Sequence, residues 1–168
     1  MLETKTVSEI INHLKSKDLS IKEVIEYYLN NIEKLNPKIN SIVSIKNKKE
    51  IIEEAKKKSN TKFCGLPIAV KDLSDVVGFP TTYGYPGTKN YNPKKNSLFV
   101  DKLLEAGITI IGKTNTAELG VGGQTINRLF GPTSNVYDVT KCAAGSSGGA
   151  STAVASGMLP FADGTDQM

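Results

Sequence analysis

From Gly65 onward the chain alternates short, continuous apolar runs bounded by Gly and Pro with stretches of helical period, and this alternation restricts the fold more than any other feature. "LPIAV" (66–70) runs straight into Lys71, "SLFVDKLLEAG" (97–107) has helical spacing, and "ITIIG" (108–112) is continuous and mostly β-branched. "GGASTAVASG" (148–157) reads as a helix of small residues leading into "MLPFA" (158–162), a strand of buried type. Strands without polar alternation are covered on both faces, which requires helices above and below them. The expected class is α/β: a layered mixed sheet core covered by helices.

The first third is helical by period. Thr6 or Ser8 can cap a segment with Ile10, Ile11 and Leu14 on one face. Ser20 caps "IKEVIEYYLNNIEKLN", where Ile21, Val24, Ile25, Tyr28, Leu29 and Ile32 recur until Pro37 stops the helix. "INSIVSI" is a short strand, and 47–58 a mixed-charge helix. The expected organisation is one incomplete domain over 1–168, with a helical lobe at 1–60 and the α/β core at 61–168. No repeat or low-complexity linker divides it.

Composition excludes several functional classes. Hydrophobic residues make up 39% and charged residues 23%, which is globular rather than disordered. The net charge of +4 arises from 21 basic against 17 acidic residues, and "NKKEIIEEAKKKSN" intermixes both signs as a solvated helix face does, so no nucleic-acid footprint is expected. Cys64, Cys142 and the single His13 do not make a zinc site. No apolar run approaches the ~18 residues of a membrane span. "MLETKTVSEI" lacks the order of a signal peptide, so the expected compartment is the cytoplasm.

"GITIIGKT" (107–114) satisfies the pattern of a phosphate-binding P-loop. Such a loop must curl so that its backbone N–H groups face phosphates, whereas Ile108, Thr109, Ile110 and Ile111 are stiff, β-branched strand formers. The stretch is read as a strand, with Lys113 and Thr114 as its exit into a loop.

"AAGSSGGAS" (143–151) places Ser146 and Ser147 at the start of a helix, among glycines that permit close approach of a ligand. Either serine can serve simply as the N-cap. A serine nucleophile needs a base, and with His13 far off in the helical lobe a Ser-His-Asp arrangement is not expected. A lysine serves if desolvation keeps it neutral, and Lys71, at the end of a buried run, is the candidate.

Three ordered blocks, "GLPIAVKDLSDVVGFPTT", "AGITIIGKTNTAELGVGGQTINRLFGPTSNVYD" and "CAAGSSGGASTAVASGMLPFADGTD", resemble the amidase signature family from Gly65 to the C-terminus. The resemblance implies hydrolysis of a small-molecule carboxamide by a Ser-cisSer-Lys triad, with no metal or cofactor. Lys71 matches the ultimate base, Ser146 the relaying serine preceded by a cis peptide bond, and Ser147 a supporting hydroxyl. Gly122, Gly123 and Gln124 line the cleft or form a structural loop beside it. In the family the attacking serine follows a G-T-D-x-G-G-S block, whereas this chain reads "GTDQM". Gln167 and Met168 align with backbone oxyanion donors, and the attacking serine falls two residues beyond. The expectation is therefore a truncated amidase signature fold, inactive by itself, whose uncovered core edge invites a homo-oligomer. "KDL" and "AAGSSGG" depart from the K-D-N and P-G-G-S-S-G-G of the A-subunits of glutamyl-tRNA amidotransferases, which favours general amidases and cyclic-amide hydrolases. A fragment of such an amidotransferase, or a non-catalytic binding remnant, are the alternatives.

Overall fold

The computed structural model describes residues 2–166. Among them the elements run α1 (Val7–Ser16), α2 (Ile21–Ile39), β1 (Ile42–Ile45), α3 (Lys48–Lys57), β2 (Pro67–Lys71), α4 (Leu98–Glu105), β3 (Thr109–Thr114) and α5 (Gly148–Ala155). The strands form one mixed sheet in the order β1-β3-β2. The central β3 is parallel to β2 and antiparallel to β1. A parallel pair needs a long crossover, which α4 and its flanking loops supply. The expected α/β class and mixed sheet are thus what the chain adopts.

Capping residues set the helix starts. Thr6 and Glu9 form a reciprocal box, in which Glu9 N donates to Thr6 Oγ1 at 3.3 Å and Thr6 N to Glu9 Oε2 at 2.7 Å. Ser8 lies inside α1. Ser20 and Glu23 repeat the device at α2. Pro37, expected to stop α2, sits inside its last turn; the helix ends at Asn40, in the left-handed conformation at φ 60°. Asn36 makes this exit workable. Its Oδ1 accepts from Ser41 N and Ile42 N, both at 2.8 Å, and its Nδ2 donates to Ile42 O at 2.8 Å, so the side chain satisfies backbone groups between α2 and β1.

The apolar faces of α1, α2 and α3 meet the sheet in a single cluster that includes Ile10, Val24, Ile25, Ile51, Ile110 and Ile111. Because β1 belongs to the sheet, the helical segment is built into the core rather than resting on it.

Two expectations about strands change. Lys113 and Thr114 do not leave the sheet: both are fully buried in β3, where they register with Val70 and Lys71. The strand runs on because a carboxylate, that of Asp72, meets the Lys113 amine inside the protein. "MLPFA" is buried at Met158 and Leu159 but forms no strand among the described residues. The N–H groups of Met158 and Leu159 both donate to Ala153 O, at 2.8 and 3.1 Å, which closes α5 instead of joining a ladder. Pro160 then has no donor to offer. No helix among the described residues is long and apolar enough to cross a membrane.

Candidate active site

Lys71 is the last residue of β2 and is fully buried. Its Nζ donates to three hydroxyls: Ser146 Oγ at 2.9 Å, Ser147 Oγ at 2.8 Å and Thr165 Oγ1 at 2.7 Å. Burial pushes the amine below the ordinary lysine range, while the Asp163 carboxylate opposes that fall. Asp163 does not take the amine directly; its Oδ1 accepts from the Lys71 backbone N–H at 2.8 Å. Burial in turn holds the Asp163 carboxyl above the usual carboxylate range.

The serines owe their placement to the chain around them. Gly145 turns at φ 78° just before Ser146, a conformation that costs glycine little. The Ser146 carbonyl accepts from Ala117 N and Thr116 Oγ1, each at 3.1 Å. Thr125 Oγ1 donates to Gly145 O at 2.7 Å and accepts from Gly148 N at 2.6 Å, which fixes the turn on both sides of the serine pair. Ser147 occupies the N-cap position of α5, yet its hydroxyl makes no capping bond. That hydroxyl instead accepts from Lys71 Nζ and from Thr165 N at 3.2 Å.

No peptide bond among the described residues is cis, so the bond before Ser146 departs from the expectation. The left-handed Gly145 provides the turn with a trans bond, the form that costs least.

A cleft of about 530 Å³ opens over the serines, lined in part by Gly122, Gly123, Gly145, Ser146, Ser147 and Thr165. Of the three residues expected to line it, Gln124 lies beside it, bridged through its backbone to Ala144. Gln167 and Met168, the expected oxyanion donors, lie outside the described residues. A depression of about 460 Å³ beside Leu14, Leu19, Ile21 and Cys64 includes none of these groups. His13 is on α1, paired with Asp18 at 3.2 Å. No group of three or more His, Cys, Asp or Glu side chains that could hold a metal occurs among the described residues.

Sequence reasoning missed four residues here. Thr165 and Asp163 stand in "ADGTD", and their contacts with Lys71 span more than 90 positions, beyond the reach of any local pattern. Asp72 and Lys113 had a legible signal: each adjoins or continues a buried strand, where a charge must find a partner.

Three hydroxyls within hydrogen-bonding distance of one buried amine form an arrangement that can pass a proton between amine and hydroxyl. Known proteins carry the same arrangement of chain. A family model described as Amidase matches residues 23–167. The A-subunit of the glutamyl-tRNA(Gln) amidotransferase of Thermoanaerobacter pseudethanolicus is 35% identical over 98% of this chain and 35% of its own length. An acylamidase of Rhodococcus erythropolis is 37% identical over 96% of this chain and 35% of its own. The crystal structure of a bacterial aryl acylamidase of the amidase signature enzymes superposes with a TM-score of 0.87 at 31% identity, covering 96% of this chain and 35% of that one. The chain spans about a third of the length of these relatives.

Proposed function

The chain belongs to the amidase signature family, and from that premise we propose that its residues supply the proton relay of an amide hydrolase acting on a small-molecule carboxamide. Lys71 in its neutral form accepts the proton of Ser146. Ser146 at the same time takes the proton of an attacking serine, which adds to the amide carbon. Ser147 orients the pair by hydrogen bonding. The attacking serine belongs to the part of the family fold that these 168 residues do not span. Backbone N–H groups at Gln167 and Met168 contribute to the oxyanion site, where one donor is worth about 2.7–4 kcal/mol. On collapse of the tetrahedral intermediate the relay returns its proton to the leaving nitrogen, ammonia or amine departs, and water releases the acid from the acyl-enzyme. The Gly122–Gly123 wall of the cleft faces the substrate.

The observation that supports this most is the set of three hydroxyls at 2.7–2.9 Å from an amine beside Asp163, whose carboxylate accepts from the Lys71 backbone N–H. A lysine kept to act as a charge would be met by a carboxylate, as Lys113 is. The 168-residue chain, purified to homogeneity and supplied with simple carboxamides, is expected to release ammonia no faster than buffer. Turnover at the rate of a full-length amidase would overturn the assignment of Ser146 as relay rather than nucleophile.

A second reading has support of its own: at 35% identity to the A-subunit of an amidotransferase, the chain also fits a portion of an enzyme that passes ammonia to glutamyl-tRNA(Gln). In the full-length protein, amide nitrogen recovered on the tRNA instead of in solution distinguishes the two.

A further inference from the structure

The two largest fully buried side chains among the described residues are both lysines, and the relay uses only Lys71. We propose that the other, Lys113, forms with Asp72 a positioning clamp that holds the Lys71 amino group against the Ser146 and Ser147 hydroxyls. This inference rests on the relay reading above.

Side chains alternate across a strand, so Lys113, in register with Val70, emerges on the face of the sheet opposite Lys71. There its Nζ meets Asp72 Oδ1 at 3.1 Å, Ser74 O at 2.8 Å and Thr81 Oγ1 at 3.2 Å. Asp72 is the residue immediately after Lys71, and each of its polar groups is engaged. Its N–H donates to Thr114 O and its carbonyl accepts from Tyr83 N, both at 3.1 Å. Its carboxylate accepts from Thr82 N at 3.2 Å and from the Thr82 hydroxyl. The clamp therefore ties the end of β2, the loop returning at 81–83 and β3 together directly behind the relay. A buried ion pair of this kind stabilises a fold no better than apolar residues of the same volume. What it supplies is direction, and a hydrogen-bonded relay loses function when its members are displaced by about 1 Å. The charged groups around Lys71 are Asp163 from the segment after α5, Asp166 at the cleft, and Asp72 and Lys113 behind the sheet.

The test reads the amine itself, without turnover. In the chain carrying isotope-labelled lysine, NMR follows the Lys71 side chain through its titration, its signal assigned by its loss in Lys71→Met. The parent is expected to titrate below 10.5; an ordinary midpoint there overturns the relay reading, and the clamp with it. In the double variant Asp72→Asn/Lys113→Met, which leaves no unpaired buried charge, the Lys71 midpoint is expected to rise by about one pH unit as water reaches the loosened amine. Thr82→Val, which removes the hydroxyl's bond to the carboxylate together with its bond from Gly84 N and keeps both charges, is expected to move it the same way, and Thr82→Ser to restore it. A depressed midpoint that stays unchanged in folded Thr82→Val, whether or not the double variant folds, overturns the clamp and leaves the relay reading standing.

Discussion

Gly149 lies in the first turn of α5, where the helix presses on the end of β3, and Gly149→Ala tests whether that contact sets the position of the serines. A Cβ at this position overlaps the backbone N and O of Asn115 and lies 2.8 Å from Ser41 O, inside the 3.4 Å at which ordinary contact begins. Both neighbours are backbone; Asn115 N itself donates to Ser41 O at 2.8 Å, so neither yields cheaply. The helix start must then retreat by on the order of 1 Å to restore contact. Alanine gains up to about 1 kcal/mol over glycine within a helix. Overpacking of a tight contact costs about 1–3 kcal/mol. With the full helix gain the balance is a loss of up to about 2 kcal/mol, or up to about 8 °C in Tm for a chain of this length. The same retreat stretches the 2.8–2.9 Å bonds from Lys71 to Ser147 and Ser146 beyond hydrogen-bonding range. Urea unfolding followed by circular dichroism measures the first effect, and the Lys71 titration the second. Gly149→Ala protein as stable as the parent, with Lys71 titrating unchanged, refutes the argument that backbone contact at Gly149 places the relay.

Three further outcomes follow from burial and exposure. Lys71 has a folded pKa below its ordinary 10.5, so the unfolded chain binds more protons between those two values, and stability contributed at this site rises with pH through that window. Lys71→Met removes that slope, so the parent should gain stability relative to the variant as pH climbs from neutral toward 10.5; a difference independent of pH counts against a depressed amine. In the core, Ile25→Ala should cost about 2–5 kcal/mol because the side chain is fully buried. Arg128→Ala should leave the urea midpoint close to the parent's, although Arg128 contacts Glu118 at 2.5 Å and lies over the Tyr85 ring, because its side chain is two-thirds exposed. The reverse ranking of these two midpoints is the result that contradicts it.

Local chemistry was legible from the residues alone. An N-cap at Ser20 and one at Thr6 or Ser8, the amphipathic faces of α1 and α2, the buried strands at "LPIAV" and "ITIIG", and the rejection of a P-loop at "GITIIGKT" follow from spacing and side-chain stiffness, which neighbours in the chain determine. So does the candidacy of Lys71, since a lysine ending an apolar run is carried inward by its strand. What the spacing could not convey is where distant groups meet. Pro37 stays within α2 because Asn36 satisfies the exit, "MLPFA" forms no strand because Ala153 takes its N–H groups, and Lys113 stays in β3 because Asp72 arrives from β2. The three hydroxyls on Lys71 come from positions 75 to 94 residues away. Sequence by itself determined which residues prefer helix, strand and burial, because those preferences are settled within a few residues of chain. Only the tertiary structure decided which buried lysine receives a carboxylate and which receives hydroxyls, because that depends on the chains that cross it in space, and on this difference the proposed chemistry rests.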